Sequence, residues 1–411
     1  MSFTSSRDVF TLAVARGVSL LGDFMATTAL VLALQERGAS GTVVAALFAA
    51  AVLPQVVLVP LAGRLVDRAD SRALLTVTGL AQAACCAAMA FVDSTWLLVG
   101  LVALLGAGLT ITMPTFSALL PEMAGPAGVG RAMAIGQTAN SLGSLAGPAL
   151  AGVLVGAFGL RVPLLVDAAT YLAVAGAGLL LRTRRRGERE VASRGTPEWR
   201  IRDDRLLVSS LALLGAIVLA LNVFVVVGVF YLRGVLGASP AEYGLVDAAW
   251  MLGLLLGGWL GALRPRPDGP TARLLAAAFL ATALAVLAAG LVTRLWMVYP
   301  LWLLGGLMNG VDNTLLGVLA VRRVPAAVRG AYFARLGAVV NAANLVGFAA
   351  GGALVDQFAP RAIVIGCGLT GLLAAVIFGV PLVSASSAAD SSRTGRSSPR
   401  SPSPASSRSA P

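Results

Sequence analysis

The chain of 411 residues is 57% hydrophobic and only 12% charged, with a formal net charge of +12 and a mean hydropathy of +0.85. So apolar a composition excludes a water-soluble globular domain and an extended disordered chain, and points to a polytopic membrane protein. All 31 basic residues are arginine, histidine is absent, and Cys85, Cys86 and Cys367 lie inside apolar runs, so no metal site, disulfide or cofactor is expected.

Twelve stretches are each long and apolar enough to cross a hydrocarbon core of roughly 30 Å as a helix. They run over residues 9–34, 41–62, 73–92, 95–119, 132–157, 161–182, 206–232, 243–263, 274–292, 295–320, 333–355 and 361–383. The first is too long, and too interrupted by Arg16 and Asp23, for the apolar core of a cleaved signal peptide, and reads as a retained helix. An ionisable group at bilayer depth costs roughly 2.5–3.5 kcal/mol, so it normally faces a partner or a watery cavity. Arg16, Ser19, Asp23 and Thr27 are spaced by 3, 4 and 4 positions and form one polar stripe on helix 1. Two roles stay open for Asp23: a proton carrier whose ionisation changes as a cavity opens and closes, or a permanent ion pair with Arg16. Asp312 in helix 10 is a second candidate for proton coupling, while Asp167 in helix 6 and Asp247 in helix 8 read as packing or capping groups near the outer ends of their spans.

The charged segment 183–205 reads as a linker, and the Ser/Pro/Arg-rich tail from 384 to 411 cannot bury a core and reads as disordered. With both termini placed in the cytoplasm, inside segments hold 24 arginines and outside loops 5, which is the asymmetry expected of a multi-pass plasma-membrane protein. The basic residues are scattered over short loops with no aromatic platform, so nucleic acid is not an expected partner.

The chain also repeats itself. Comparing each position with the one 200 further on gives Gly147/Gly347, Ala149/Ala349, Gly152/Gly352, Leu154/Leu354, Val155/Val355, Phe158/Phe358 and Arg161/Arg361, seven identities in fifteen positions. Trp96/Trp296, Gly106/Gly306 and Gly130/Gly330 agree in the same register. Residues 9–182 and 206–383 thus form two parallel six-helix bundles, the plan of a transporter that rocks its halves around a central site.

At "GRLVDRADSR" the spacing of Gly63, Asp67, Arg68 and Arg72 resembles the loop signature of the major facilitator superfamily, with Asp70 in place of the usual second glycine. "GSLAGPALAG" is similar to the Gly-Pro motif of that superfamily's antiporters, through Gly143, Gly147, Pro148 and Gly152. "SLLGD", "MPTFSALLPEM", "VDAATYL" and "VPAAVRGAYF" resemble the bacterial branch of macrolide-efflux and enterobactin-export proteins. The resemblance implies an all-α fold of twelve transmembrane helices, acting as a monomer in the bacterial cell membrane. It implies a cavity lined by helices 1, 4, 7 and 10, which would bring together Ser19, Thr27, Thr110, Thr112, Asn222, Asn309 and Asn313 beside Asp23, Arg16 and Asp312. It also implies that Asp67, with Arg68 and Arg72, latches the cytoplasmic side shut.

The expected function is export of an amphipathic small molecule such as a drug, antibiotic or siderophore by proton antiport. Proton-coupled uptake is the alternative, and a membrane receptor or scaffold without turnover is a remote one. No phosphate-cradling loop, nucleophile/base pair or metal cluster argues for an enzyme.

Overall fold

The computed structural model describes residues 3–180, 201, 204–263 and 267–394, and among them every regular element is a helix. In lipid the backbone must satisfy its own hydrogen bonds, and a helix does so within one segment. In chain order the helices are α1 (Phe3–Glu36), α2 (Gly41–Val57), α3 (Val59–Arg68), α4 (Ser71–Met89), α5 (Thr95–Phe158) and α6 (Arg161–Leu180) in the first half. The second half holds α7 (Arg205–Val229), α8 (Pro240–Ala262), α9 (Asp268–Leu291), α10 (Val298–Arg323), α11 (Arg329–Val355) and α12 (Pro360–Thr394). Among the described residues, eleven helical spans are long and apolar enough to cross a membrane, or twelve when a pair bent by 56° counts as one.

The helix ends follow from local chemistry. Asp70 caps α4 by accepting from the Arg72 amide at 3.1 Å, and Asp204 caps α7 by accepting from the Leu206 and Leu207 amides at 3.1 and 3.2 Å. Ser239 and Glu242 close a reciprocal capping box at the start of α8. Gly38 and Gly159 take φ of +72° and +71° where α1 and α5 turn into their loops, a conformation that costs other residues dearly.

Several boundaries differ from the sequence expectation. Predicted helix 2 breaks at Leu58 between Pro54 and Pro60, giving α2 and α3, so Gly63, Arg64 and Arg68 lie on a helix rather than in a loop. Predicted helices 4 and 5 join into the single run α5. Met113 and Ala139 both meet α1 at Arg16 and Gly17, although a straight helix would separate them by ~39 Å, so the run folds back on itself. α12 continues to Thr394, past the expected start of a disordered tail at 384. The π-helical turn Phe230–Val235 extends α7. Residues 183–200 of the linker and everything beyond 394 lie outside the described residues, as does the side chain of Asp67.

Within the first half α1 packs on α5 and α6, and α4 on α6; within the second α8 packs on α10, and α9 on α12. Among the described residues the halves meet most extensively through two pairs, α2 with α11 and the second part of α5 with α8. A shift of 200 residues exchanges these pairs, so the duplicated chain makes one contact twice. Both contacts sit at the same end of the molecule. There Asp356 accepts from the Gly41 and Thr42 amides at 2.6 and 3.1 Å and from the Thr42 hydroxyl at 2.5 Å, capping α2 from the opposite half. Arg233 pairs with Glu36 at 2.8 Å beside it.

Candidate functional site

The polar stripe of helix 1 is divided among several neighbours. Arg16 is only 8% exposed, donates to the Met113 sulfur at 2.6 Å, and holds its guanidinium 5.6 Å from the centre of the Phe116 ring. Its Nη1 is buried without a hydrogen-bond partner among the described residues. Asp23 does not form an ion pair with it; the Asp23 carboxylate accepts a short hydrogen bond from the Tyr171 hydroxyl on α6. Ser19 is buried away from the central cavity, while the Thr27 hydroxyl, which donates to the Asp23 carbonyl at 2.8 Å, lines it.

Behind Asp23 lies a second carboxylate that the sequence placed near a helix end. Asp167 is fully buried on α6, one helical turn before Tyr171, and accepts from the Cys86 thiol at 3.2 Å and the Thr170 hydroxyl at 3.1 Å. Gly22 allows this approach, since a Cβ there would overlap the Asp167 carboxylate and the Thr170 hydroxyl. Asp23, Tyr171, Thr170, Asp167 and Cys86 therefore form one polar cluster between α1, α4 and α6, inside the first half.

The central cavity of about 290 Å³ lies between the halves. α1 supplies Phe24 and Thr27, α2 supplies Phe48, and the second half supplies Phe224, Trp250, Trp302, Asp247 and Asn309. Of the expected Asn and Thr groups, Thr27 and Asn309 line this cavity, and the rest of its wall is mostly apolar, with several aromatic rings. Thr110 and Thr112 are buried and donate to Gly106 and Gly108 carbonyls of their own helix at 3.0 and 3.2 Å, so neither reaches the cavity. Asn222 donates to Asn344 at 2.9 Å and lines a separate pocket with Asn309 and Asn313. Asp312 is fully buried, accepts from Asn309 at 3.3 Å, leaves its other oxygen unpartnered, and lines neither space. Asp247 was missed as a cavity residue, yet Tyr243, Asp247, Trp250 and Met251 have the same one-face spacing that marked helix 1.

The two signature motifs have structural roles of their own. Arg72 donates to the Gly178 and Leu179 carbonyls at 3.1 and 2.5 Å, fastening the end of α6, where a cation suits the helix dipole. The expected contact with Asp67 lies outside the described residues. Cβ atoms on Gly143 and Gly147 would overlap the Gly17 and Leu21 backbone of α1, and one on Gly152 would overlap Pro240 of α8. The Pro148 carbonyl meets Gly244, so the Gly-Pro stretch binds α5 to α1 on one side and to the other half on the other.

Two six-helix halves around a central cavity are the architecture of a rocking transporter, and the sequence profile of the Major Facilitator Superfamily matches residues 12–263 and again 212–409. The chain belongs to the Major Facilitator Superfamily. It is therefore a membrane transporter rather than an enzyme. The MFS-type transporter YfiS of Bacillus subtilis is 26% identical over 170 residues, an alignment that spans 41% of each chain. A structure of a bacterial homologue of the human lysosomal transporter Spinster, inward-facing and unoccupied, matches with a TM-score of 0.70 at 16% identity, covering 98% of this chain and 100% of that one. The nucleoside transporter NupG matches at 0.73 with 12% identity, covering 91% of this chain and 99% of its own. An inward-facing bacterial homologue of the iron transporter ferroportin matches at 0.72 with 18% identity, covering 94% and 100%. These superfamily structures share the fold.

Proposed function

We propose that this transporter exports an amphipathic small molecule in exchange for protons by alternating access. The observation that carries the reading is the setting of Asp23. It stands on α1 next to Phe24, which lines the cavity, and its carboxylate is held by the neutral phenol of Tyr171 instead of by Arg16. A carboxylate fixed by a phenol takes up a proton without stranding a paired cation, whereas one locked in an ion pair does not. Arginine asymmetry places the termini in the cytoplasm. On that topology the contacts of Asp356 with α2 and of Arg233 with Glu36 lie outside, and the described conformation is shut toward the exterior. Each proton moving inward down a potential contributes about 2.3 kcal/mol per 100 mV, equivalent to roughly a 50-fold gradient of a neutral solute. Efflux along this route needs no nucleotide.

The test is flux in proteoliposomes under an imposed proton gradient. The Asp23→Asn variant keeps size and hydrogen bonding but cannot ionise, so uphill transport is expected to vanish while counterflow exchange persists. Undiminished uphill transport by this variant rules out Asp23 as the carrier, and accumulation in the direction of proton flow replaces export with uptake.

A further inference from the structure

We propose that the central cavity selects a hydrophobic organic monocation carrying an aromatic face, with Asp247 as its counter-ion. This inference rests on the reading of the cavity as the cargo site, and it adds the charge and shape of the cargo. The Asp247 carboxylate of α8 is half-buried in the cavity wall, and no hydrogen bond or ion pair from any described residue reaches it. It is the one formally charged side chain among the lining residues; no arginine stands among them. Its surroundings are rings. Trp302 lies 4.3 Å from Phe224 and 5.3 Å from Trp250, centre to centre, in tilted contacts, and Trp250 follows Asp247 by one helical turn.

An unpartnered carboxylate in an apolar wall is costly to keep charged, and a cation delivered by the cargo relieves that cost. The faces of Trp250, Trp302 and Phe224, the negative part of their quadrupoles, add to the same preference and accept a flat aromatic body. An anion of the same shape meets both the carboxylate and the ring faces with the wrong sign. A neutral isostere gains the ring contacts but leaves Asp247 without a partner. A dication finds only one counter-charge. At about 290 Å³ the space is at the small end of ligand pockets, which run from about 300 to 1,000 Å³, so a two-ring cargo suits it better than a macrocycle.

Three probes of matched shape separate charge from size: N-methyl-4-phenylpyridinium, 4-methylbiphenyl and biphenyl-4-carboxylate. Equilibrium binding to the purified full chain in nanodiscs, corrected with empty nanodiscs, is expected to rank the cation first and the carboxylate last. Asp247→Asn should weaken the cation roughly tenfold or more while changing the neutral probe little. Asp247→Glu should keep the preference for the cation. Equal affinity of the wild-type protein for the cation and its neutral isostere overturns the inference without need of any variant, and so does unchanged cation binding in a folded Asp247→Asn protein. These measurements do not involve a proton gradient. Loss of proton-driven flux with charge selection intact would therefore strike the antiport reading alone, and loss of charge selection with flux intact would strike this one alone.

Discussion

Tyr171 shows how much of the site depends on a single hydroxyl. Its ring is buried and fixed in the core of the first half, and its oxygen is the donor that holds Asp23. Tyr171→Phe removes that donor and leaves the ring, so the fold should survive with a loss of about 1.5–3 kcal/mol, the usual worth of a hydrogen bond to a charged group. Proton-driven transport should fall in this variant while counterflow remains, a split visible in paired flux measurements and absent if the phenol only packs. Asp356 permits a prediction of pH dependence. Burial is the largest single influence and pushes its carboxyl up, but hydrogen bonds from the Thr42 hydroxyl and from the Gly41 and Thr42 amides together outweigh it and hold the group below the ordinary value of 3.8. A carboxyl depressed by a contact stabilises that contact above its ordinary value, and the stabilisation is lost as pH falls through the lowered one. The α2–α11 contact should accordingly be unaffected between pH 7 and 5 and weaken only below about 4. Spin-label distances between positions 39 and 357 would report it, with Asp356→Asn showing the opened distance already at pH 7.

At the scale of elements, the small residues of α5 predict two different failures. Gly147 faces the Leu21 carbonyl and Phe24 of α1, backbone and packed side chain that have little room to yield. Gly147→Val should cost about 1–3 kcal/mol of stability by overpacking, read as a lower unfolding midpoint in detergent. Gly152 faces Pro240 and Ala241 of the other half, across the contact that must part when the halves rock. Gly152→Val should leave each half intact but disfavour the described closed conformation, changing transport more than thermal stability. Equal loss of stability in both variants would show that the interface between halves is part of the fold's core. The end of α10 adds a bond that the sequence did not announce: Arg323 reaches Asp204 at 2.7 Å and Asp268 at 3.2 Å, tying α7, α9 and α10 together. No spacing rule links positions that far apart.

For the whole molecule, the topology inferred from arginine placement is open to direct labelling. Single cysteines at Gly38 and Arg294 should react with an impermeant reagent added outside sealed cells, and those at Glu190 and Arg400 should not. Reaction at Glu190 would invert the topology and turn the described conformation outward-open. Such a reversal is meaningful because, among the described residues, the most extensive contacts between the halves, α2–α11 and α5–α8, lie at one end, so the two ends of the molecule are not equivalent.

Membrane residence, helix number, duplication and superfamily were all readable in the chain, because lipid forces long apolar helices and repetition leaves the same residues at a fixed offset. The stripe of Arg16, Ser19, Asp23 and Thr27 was readable too, since helical spacing fixes which residues share a face. Which neighbour each of them meets was not. Asp23 going to Tyr171 and Arg16 to Met113 depends on how α5 folds back and how closely Gly22 lets α6 approach. The cavity assignment of Thr110 and Thr112 failed for a related reason. A helix can line a cavity while a given side chain on it turns inward to its own carbonyls. Asp247 became a cavity residue only because α8 turns that face toward α1 and α10. Local spacing determines faces; only packing in three dimensions decides what each face sees.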